Sequence, residues 1–117
     1  MILTLPKHCL LRNPKQYKAV YTTGRRLRGR GFSLIYLRNG QNHDRLGISI
    51  SGKKLAVKRN RIKRLLKEFY RHNRSFPSQI AGGGTRIQGI DLVIATYKGF
   101  NPKGLRDIDQ SFASFCR

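Results

Sequence analysis

Residues 55–73 read LAVKRNRIKRLLKEFYRHN, and the periodicity of this stretch decides how the remainder must be arranged. At about 100° per residue, Leu55, Ile62, Leu65, Leu66 and Phe69 fall on one face of a helix. Asn60, Arg64, Lys67 and Arg71 fall on the opposite face, flanked by Arg61 and Lys63. Glu68 alone interrupts the positive charge. The apolar face therefore needs a sheet to dock on, and the other face presents a rail of cations. Like charges at i, i+4 weaken a helix by a few tenths of a kcal/mol each. A polyanion removes that penalty and turns it into binding. Most helical charge runs are plain solvated faces, but such faces mix signs. A nearly all-positive one points to nucleic acid.

Outward from the helix, the flanks read as strands. Residues 46–51, LGISIS, alternate with period two, and residues 90–96, IDLVIAT, are apolar enough for burial on both faces. Residues 32–37, FSLIYL, form another strand, and the GQNHD turn at 40–44 predicts an antiparallel hairpin between 32–37 and 46–51. Asn13-Pro14 marks a helix start, with Gly24 as its stop and Tyr17, Val20 and Tyr21 as its stripe. GRRLRGRG at 24–31 reads as a loop or a strand entrance, with room for a short extra strand near 25–30. Residues 75–89 read as a long polar loop containing Pro77 and three glycines at 82–84. Asn101-Pro102 repeats the helix-start signal ahead of Leu105, Ile108, Phe112 and Phe115. The order αββαβα predicts an α+β two-layer sandwich, a single RNA-binding domain over residues 1–117.

Composition narrows the partner. Twenty-five Lys and Arg stand against five acids, a formal charge of +20. Such a surface calls for a polyanion. An anionic membrane is the weaker choice, because no apolar run is long enough to span a bilayer. The N-terminal apolar stretch is too short for a signal peptide, being broken by Pro6 and Lys7. A cytoplasmic location is expected, with Cys9 and Cys116 as reduced thiols.

The acids are Asp44, Glu68, Asp91, Asp107 and Asp109, and no cluster of them suits Mg²⁺. His8, His43 and His72 lie in separate segments, so neither a zinc site nor a paired-histidine nuclease is expected. The expectation is no catalytic residue and no metal ligand on this chain.

Residues 56–71, AVKRNRIKRLLKEFYR, resemble the signature helix of the bacterial ribonuclease P protein family. The family's core string stands here as Arg59-Asn60-Arg61-Ile62-Lys63-Arg64. The basic SGKK turn before it, the strand DLVIA after it and the aromatics four apart at Tyr17 and Tyr21 are similar to the family's pattern as well. The Lys53-Lys54 pair stands closer to the helix than the family's usual pair. The resemblance implies a small mixed sheet with a left-handed βαβ crossover, a sandwich like that of a ribosomal protein domain. It implies a protein that is monomeric alone and assembles with a catalytic RNA to remove the 5′ leader of precursor tRNA. Mg²⁺ would be bound mainly by that RNA. Lys58, Arg59, Asn60, Arg61, Lys63, Arg64, Lys67 and Arg71 would bind the catalytic RNA. Tyr17, Tyr21 and a strand aromatic, Phe32 or Tyr36, would stack on the leader. A structural ribosomal-type RNA-binding protein and a DNA-binding or nucleoid protein are the alternatives.

Overall fold

The computed structural model describes residues 7–81 and 89–115. Its elements are α1 (Pro14–Thr23), β1 (Arg25–Gly29), β2 (Phe32–Arg38), β3 (Arg45–Ile50), α2 (Ala56–His72), α3 (Phe76–Ile80), β4 (Ile90–Thr96) and α4 (Leu105–Phe112). Short 3₁₀ turns stand at Lys7–Cys9 and Ala113–Phe115. It is a mixed α+β fold on one four-stranded sheet ordered β1-β2-β4-β3.

The expected hairpin between residues 32–37 and 46–51 does not form. β4 lies between β2 and β3, antiparallel to the first and parallel to the second. The reason is burial. Every residue of β4 is buried, so it takes a central place with sheet on both sides. The hairpin is instead β1 with β2, closed at Gly31, whose φ of +79° favours glycine. The short strand expected near 25–30 is thus a full partner of β2.

α1 starts where the sequence predicts. The Asn13 side chain accepts from the Lys15 N–H, Gln16 Oε1 accepts from the Asn13 N–H, and Pro14 opens the first turn. α4 does not start at Asn101-Pro102. The Asn101 side chain accepts from Lys53 Nζ instead, and the helix begins at Leu105 with Asp107 accepting from the Lys103 N–H. The segment predicted as a polar loop carries α3, whose Phe76, Pro77 and Ile80 are buried. The glycines at 82–84 and Arg86 lie outside the described residues.

The sheet separates two apolar layers. Ile62, Leu66, Phe69 and Tyr70 of α2 meet Phe32, Leu34, Leu46, Leu92, Ile94, Ile108 and Phe112 in the larger one. Leu55, assigned by periodicity to the docking face, is instead the helix N-cap and is 60% exposed. In the smaller layer Val20 of α1 packs on Ile35, Val93 and Ala95, with Tyr17 half-buried beside them. At one end of that layer Asp91 is 4% exposed and accepts from Arg45 Nε and Nη2 at 2.7 Å each and from the Asn39 amide at 2.7 Å. Full pairing is what makes a buried carboxylate tolerable.

Candidate nucleic-acid interface

α2 carries the rail, and the structure divides its polar side chains into two sets. Lys58, Lys63, Arg64 and Lys67, with the neutral Asn60, are exposed, and no side chain of this set is held by a hydrogen bond or ion pair among the described residues. Arg59, Arg61 and Arg71 are engaged within the chain. Arg59 donates from Nη1 to the carbonyls of Lys53 and Lys54 at 2.9 Å each, closing the turn into the helix. Leu55 offers no side-chain cap there, so Arg59 fixes the chain entry in its place. Arg61 donates to the carbonyls of Pro102 and Lys103, pinning the approach to α4 against α2. Arg71 is tied to Glu68 at 2.6 Å, and His72 meets the other oxygen of the same carboxylate at 2.9 Å. Lys53 likewise spends its ammonium on the Lys98 carbonyl and Asn101.

The predicted stacking residues divide differently. Tyr17 is half-buried against the α1-side layer. Its hydroxyl accepts from the Ile48 N–H at 3.3 Å and donates to the Leu11 carbonyl at 3.4 Å. Burial pushes its pKa up, with a smaller push from neighbouring Tyr21. Gly47 makes the contact possible, since a Cβ there would stand 2.8 Å from Tyr17 Cε1. Tyr21, one turn on, is 38% exposed.

Phe32 is a correction. It is 2% exposed and enclosed by the rings of Phe100, Phe112 and Phe115, so it has no free face to offer a base. Even-numbered residues of β2 face the α2 layer and odd-numbered ones face α1. Tyr36 is half-buried on the α2 side and so does not share a surface with Tyr17.

Tyr17 and the rail meet at the edge of the sheet. A hollow of about 340 Å³ across β3 is lined by Lys7, Leu10, Leu11, Arg12, Tyr17, Ile48, Lys63 and Lys67. It places an aromatic face and two free lysines around one space.

Two features escaped the sequence. His8 and His43 come together, with ring centroids 5.0 Å apart and His43 Nε2 3.0 Å from the His8 carbonyl. Their pairing needs the 3₁₀ turn and the β2–β3 loop to meet, and nothing local signals that. Tyr97 is 39% exposed and bonded to Ser33 and Arg26 on the α1 side. The alternation of Arg26 and Arg28 was a signal for this surface. Among the described residues no three of His, Cys, Asp and Glu are grouped to hold a metal ion, and no helix is long and apolar enough to cross a membrane.

Residues 5–117 match the sequence profile of the family described as Ribonuclease P. The ribonuclease P protein component of Desulfotalea psychrophila is 43% identical over 114 residues, covering 96% of this chain and 87% of that protein. That of Clostridium botulinum is 33% identical over 108 residues, covering 92% and 90%. Among solved structures, the Staphylococcus aureus RNase P protein superposes with a TM-score of 0.74 at 24% identity, covering 92% and 91%. The Thermotoga maritima protein gives 0.68 at 22%, covering 91% and 93%. At these identities the structural likeness speaks for the fold alone.

Proposed function

This chain belongs to the ribonuclease P protein family, and on that premise we propose that it binds the catalytic RNA of the ribonucleoprotein through α2 and the 5′ leader of precursor tRNA through α1. Membership makes it a protein component in tRNA processing, part of an endoribonuclease complex with an RNA partner. The finer division of labour is our reading. In it the RNA performs the phosphodiester hydrolysis, with Mg²⁺ on the RNA. Among the described residues no carboxylates are grouped to hold Mg²⁺: Asp91 is engaged by Arg45, Glu68 by Arg71 and His72, and Asp44 and Asp107 each accept from a backbone N–H. The protein's part is to bind and position.

One observation carries the reading: the hollow where Tyr17 faces Lys63 and Lys67 across β3. Stacking on an aromatic is worth about 1–3 kcal/mol per base and tolerates any base, which suits leaders of varied sequence. The lysines neutralise phosphates at the same place. Tyr21 extends the aromatic surface, while Lys58 and Arg64 extend the cationic one, with the neutral Asn60 amide between them. A leader in this hollow runs beside the RNA that cuts it. We also read the protein as acting in the cytoplasm, as a monomer before assembly.

The test is cleavage of precursor tRNA by the cognate catalytic RNA at low Mg²⁺, with and without the protein. Stimulation is expected. Its absence would sink the proposal. In the reconstituted complex, a preference for precursor over mature tRNA tests the leader role separately.

A further inference from the structure

The cationic face of α2 begins with an apolar residue. At about 100° per residue Val57 falls within about 20° of Arg64 around the helix axis, at the head of the line that runs on to Arg71. Val57 is 77% exposed, and Leu55, which precedes the helix, is 60% exposed. Ala56 between them is exposed as well. Among the described residues the exposed large hydrophobics are these two and the tyrosines Tyr21 and Tyr97, so this turn holds the aliphatic ones.

Single exposed aliphatics are ordinary on a protein surface. These two are adjacent and their backbone is fixed. Arg59 Nη1 donates to the carbonyls of Lys53 and Lys54, the Arg59 N–H donates to the Leu55 carbonyl, and the Ser51 N–H donates to the Thr96 carbonyl. Gly52, with a φ of +79°, lies so near Lys98 that a Cβ would stand 2.7 Å from its backbone. The turn thus holds a short apolar tip out from the body. Local energetics gives Leu55 no reason to be there. It occupies the N-cap of α2 without a side-chain hydrogen bond, where Ser, Thr, Asp or Asn would satisfy a first-turn N–H and strengthen the helix.

The surroundings say what covers the tip. Lys54 and Lys58 flank it, both exposed, with no hydrogen bond or ion pair on either side chain among the described residues. No acid stands between Ser51 and Lys67. A second copy of this chain would bring the same cations to the contact and be repelled. Two aliphatic side chains are too small a face for a bilayer, on which an amphipathic helix lays down its whole apolar side. A structured RNA shows an apolar face where a base leaves the stack. In an A-form duplex the base faces are covered by their neighbours, whereas an unpaired base offers a flat apolar surface with a phosphate on each side.

We propose that Leu55 and Val57 form an apolar tip that packs on an unpaired base of the catalytic RNA, with Lys54 and Lys58 on the phosphates beside it. This rests on the reading of α2 above and deepens it. Cations bind any phosphate backbone. A contact that needs an unstacked base fixes α2 at one place on the RNA.

The experiment compares the full chain with the double variant L55S/V57T. Ser caps the helix start, and Thr matches Val in shape and helix propensity, so the melting temperature should hold or rise. Affinity for the cognate catalytic RNA should fall about tenfold at every salt concentration, with the salt slope unchanged. Affinity for a fully paired RNA duplex should stay as it was. Unchanged affinity for the catalytic RNA, an equal loss on the duplex, a flatter salt slope or a lower melting temperature each overturns the proposal. Loss of binding to phosphatidylglycerol vesicles with RNA affinity intact overturns it too, in favour of a lipid surface. Arg64→Ala in the same titrations separates the two readings. If it lowers the slope while L55S/V57T changes nothing, only the tip fails. If both are silent, the reading of α2 itself fails.

Discussion

The two helices that flank the sheet approach RNA in opposite ways. α2 offers point charges on long flexible stems, and its Phe69 and Tyr70 rings are buried. α1 offers two tyrosines, one anchored at both its ring and its hydroxyl. Point charges neutralise phosphates wherever the backbone runs, so their binding is strong, salt-sensitive and blind to sequence. Rings need an unpaired base, so their binding is weakly salt-sensitive and restricted to single strands. The difference teaches that one small domain can carry a surface suited to a structured RNA and one suited to a flexible strand without mixing them. The sheet between the helices keeps the surfaces apart except at β3.

The sharpest way to break this comparison is to neutralise the rail. Replacing Lys63, Arg64 and Lys67 together with Gln should lower the salt slope of catalytic-RNA binding by about 2, and Arg64→Ala alone by about 0.7. Titrating affinity against salt checks both, and an unchanged slope would mean that these residues do not touch phosphate. Tyr17→Ala should cost about 1–3 kcal/mol of leader affinity while leaving that slope in place. If it unfolds the domain instead, Tyr17 is core and the contrast collapses.

Gly47→Val probes the same contact from beneath. The added side chain would strike Tyr17 and Leu11, so a stability loss of about 1–3 kcal/mol by thermal denaturation should accompany weakened leader binding. Arg61→Gln sharpens the division within α2. Its guanidinium is committed to carbonyls near α4, so the expected loss is about 1–2 kcal/mol of stability. Its effect on the salt slope should be smaller than that of Arg64→Ala.

The smallest effect concerns alkaline pH. Burial pushes the Tyr70 phenol up from 10 to about 12 and raises Tyr17 as well. A phenol whose folded pKa lies above its unfolded value stabilises the fold below pH 10 and loses that contribution as pH rises through the folded value. Stability should therefore fall between pH 10 and about 12, and Tyr70→Phe should flatten that decline. Denaturant melts across this range would show it.

Much of this was legible before any coordinates. The capped start of α1, the apolar face of α2 and the doubly buried β4 are local patterns, and, Leu55 apart, each appears where the sequence placed it. The hairpin partner was not. β2 and β3 are neighbours in sequence with a turn between them, but β4 competes for both and wins because its apolar residues need cover on two faces. Phe32 was misread for a related reason. An aromatic at a strand start looks the same whether it faces a cleft or a core, and here the face is set by Phe100 and Phe112 arriving from far along the chain. Asn101-Pro102 resembled a helix cap until Lys53 claimed its side chain.

The sequence by itself determined that the chain has a basic helix with one docking face, that its partner is a polyanion, and, through the order Arg59-Asn60-Arg61-Ile62-Lys63-Arg64, the family to which it belongs. Only the tertiary structure decided which cations are free to bind and which are tied to carbonyls and Glu68. It alone brought Tyr17 to Lys63 and Lys67, and Tyr97 to Arg26. Periodicity is a property of neighbours along the chain. Whether a charge is already spent depends on backbone carbonyls delivered from distant segments, and no local pattern records them.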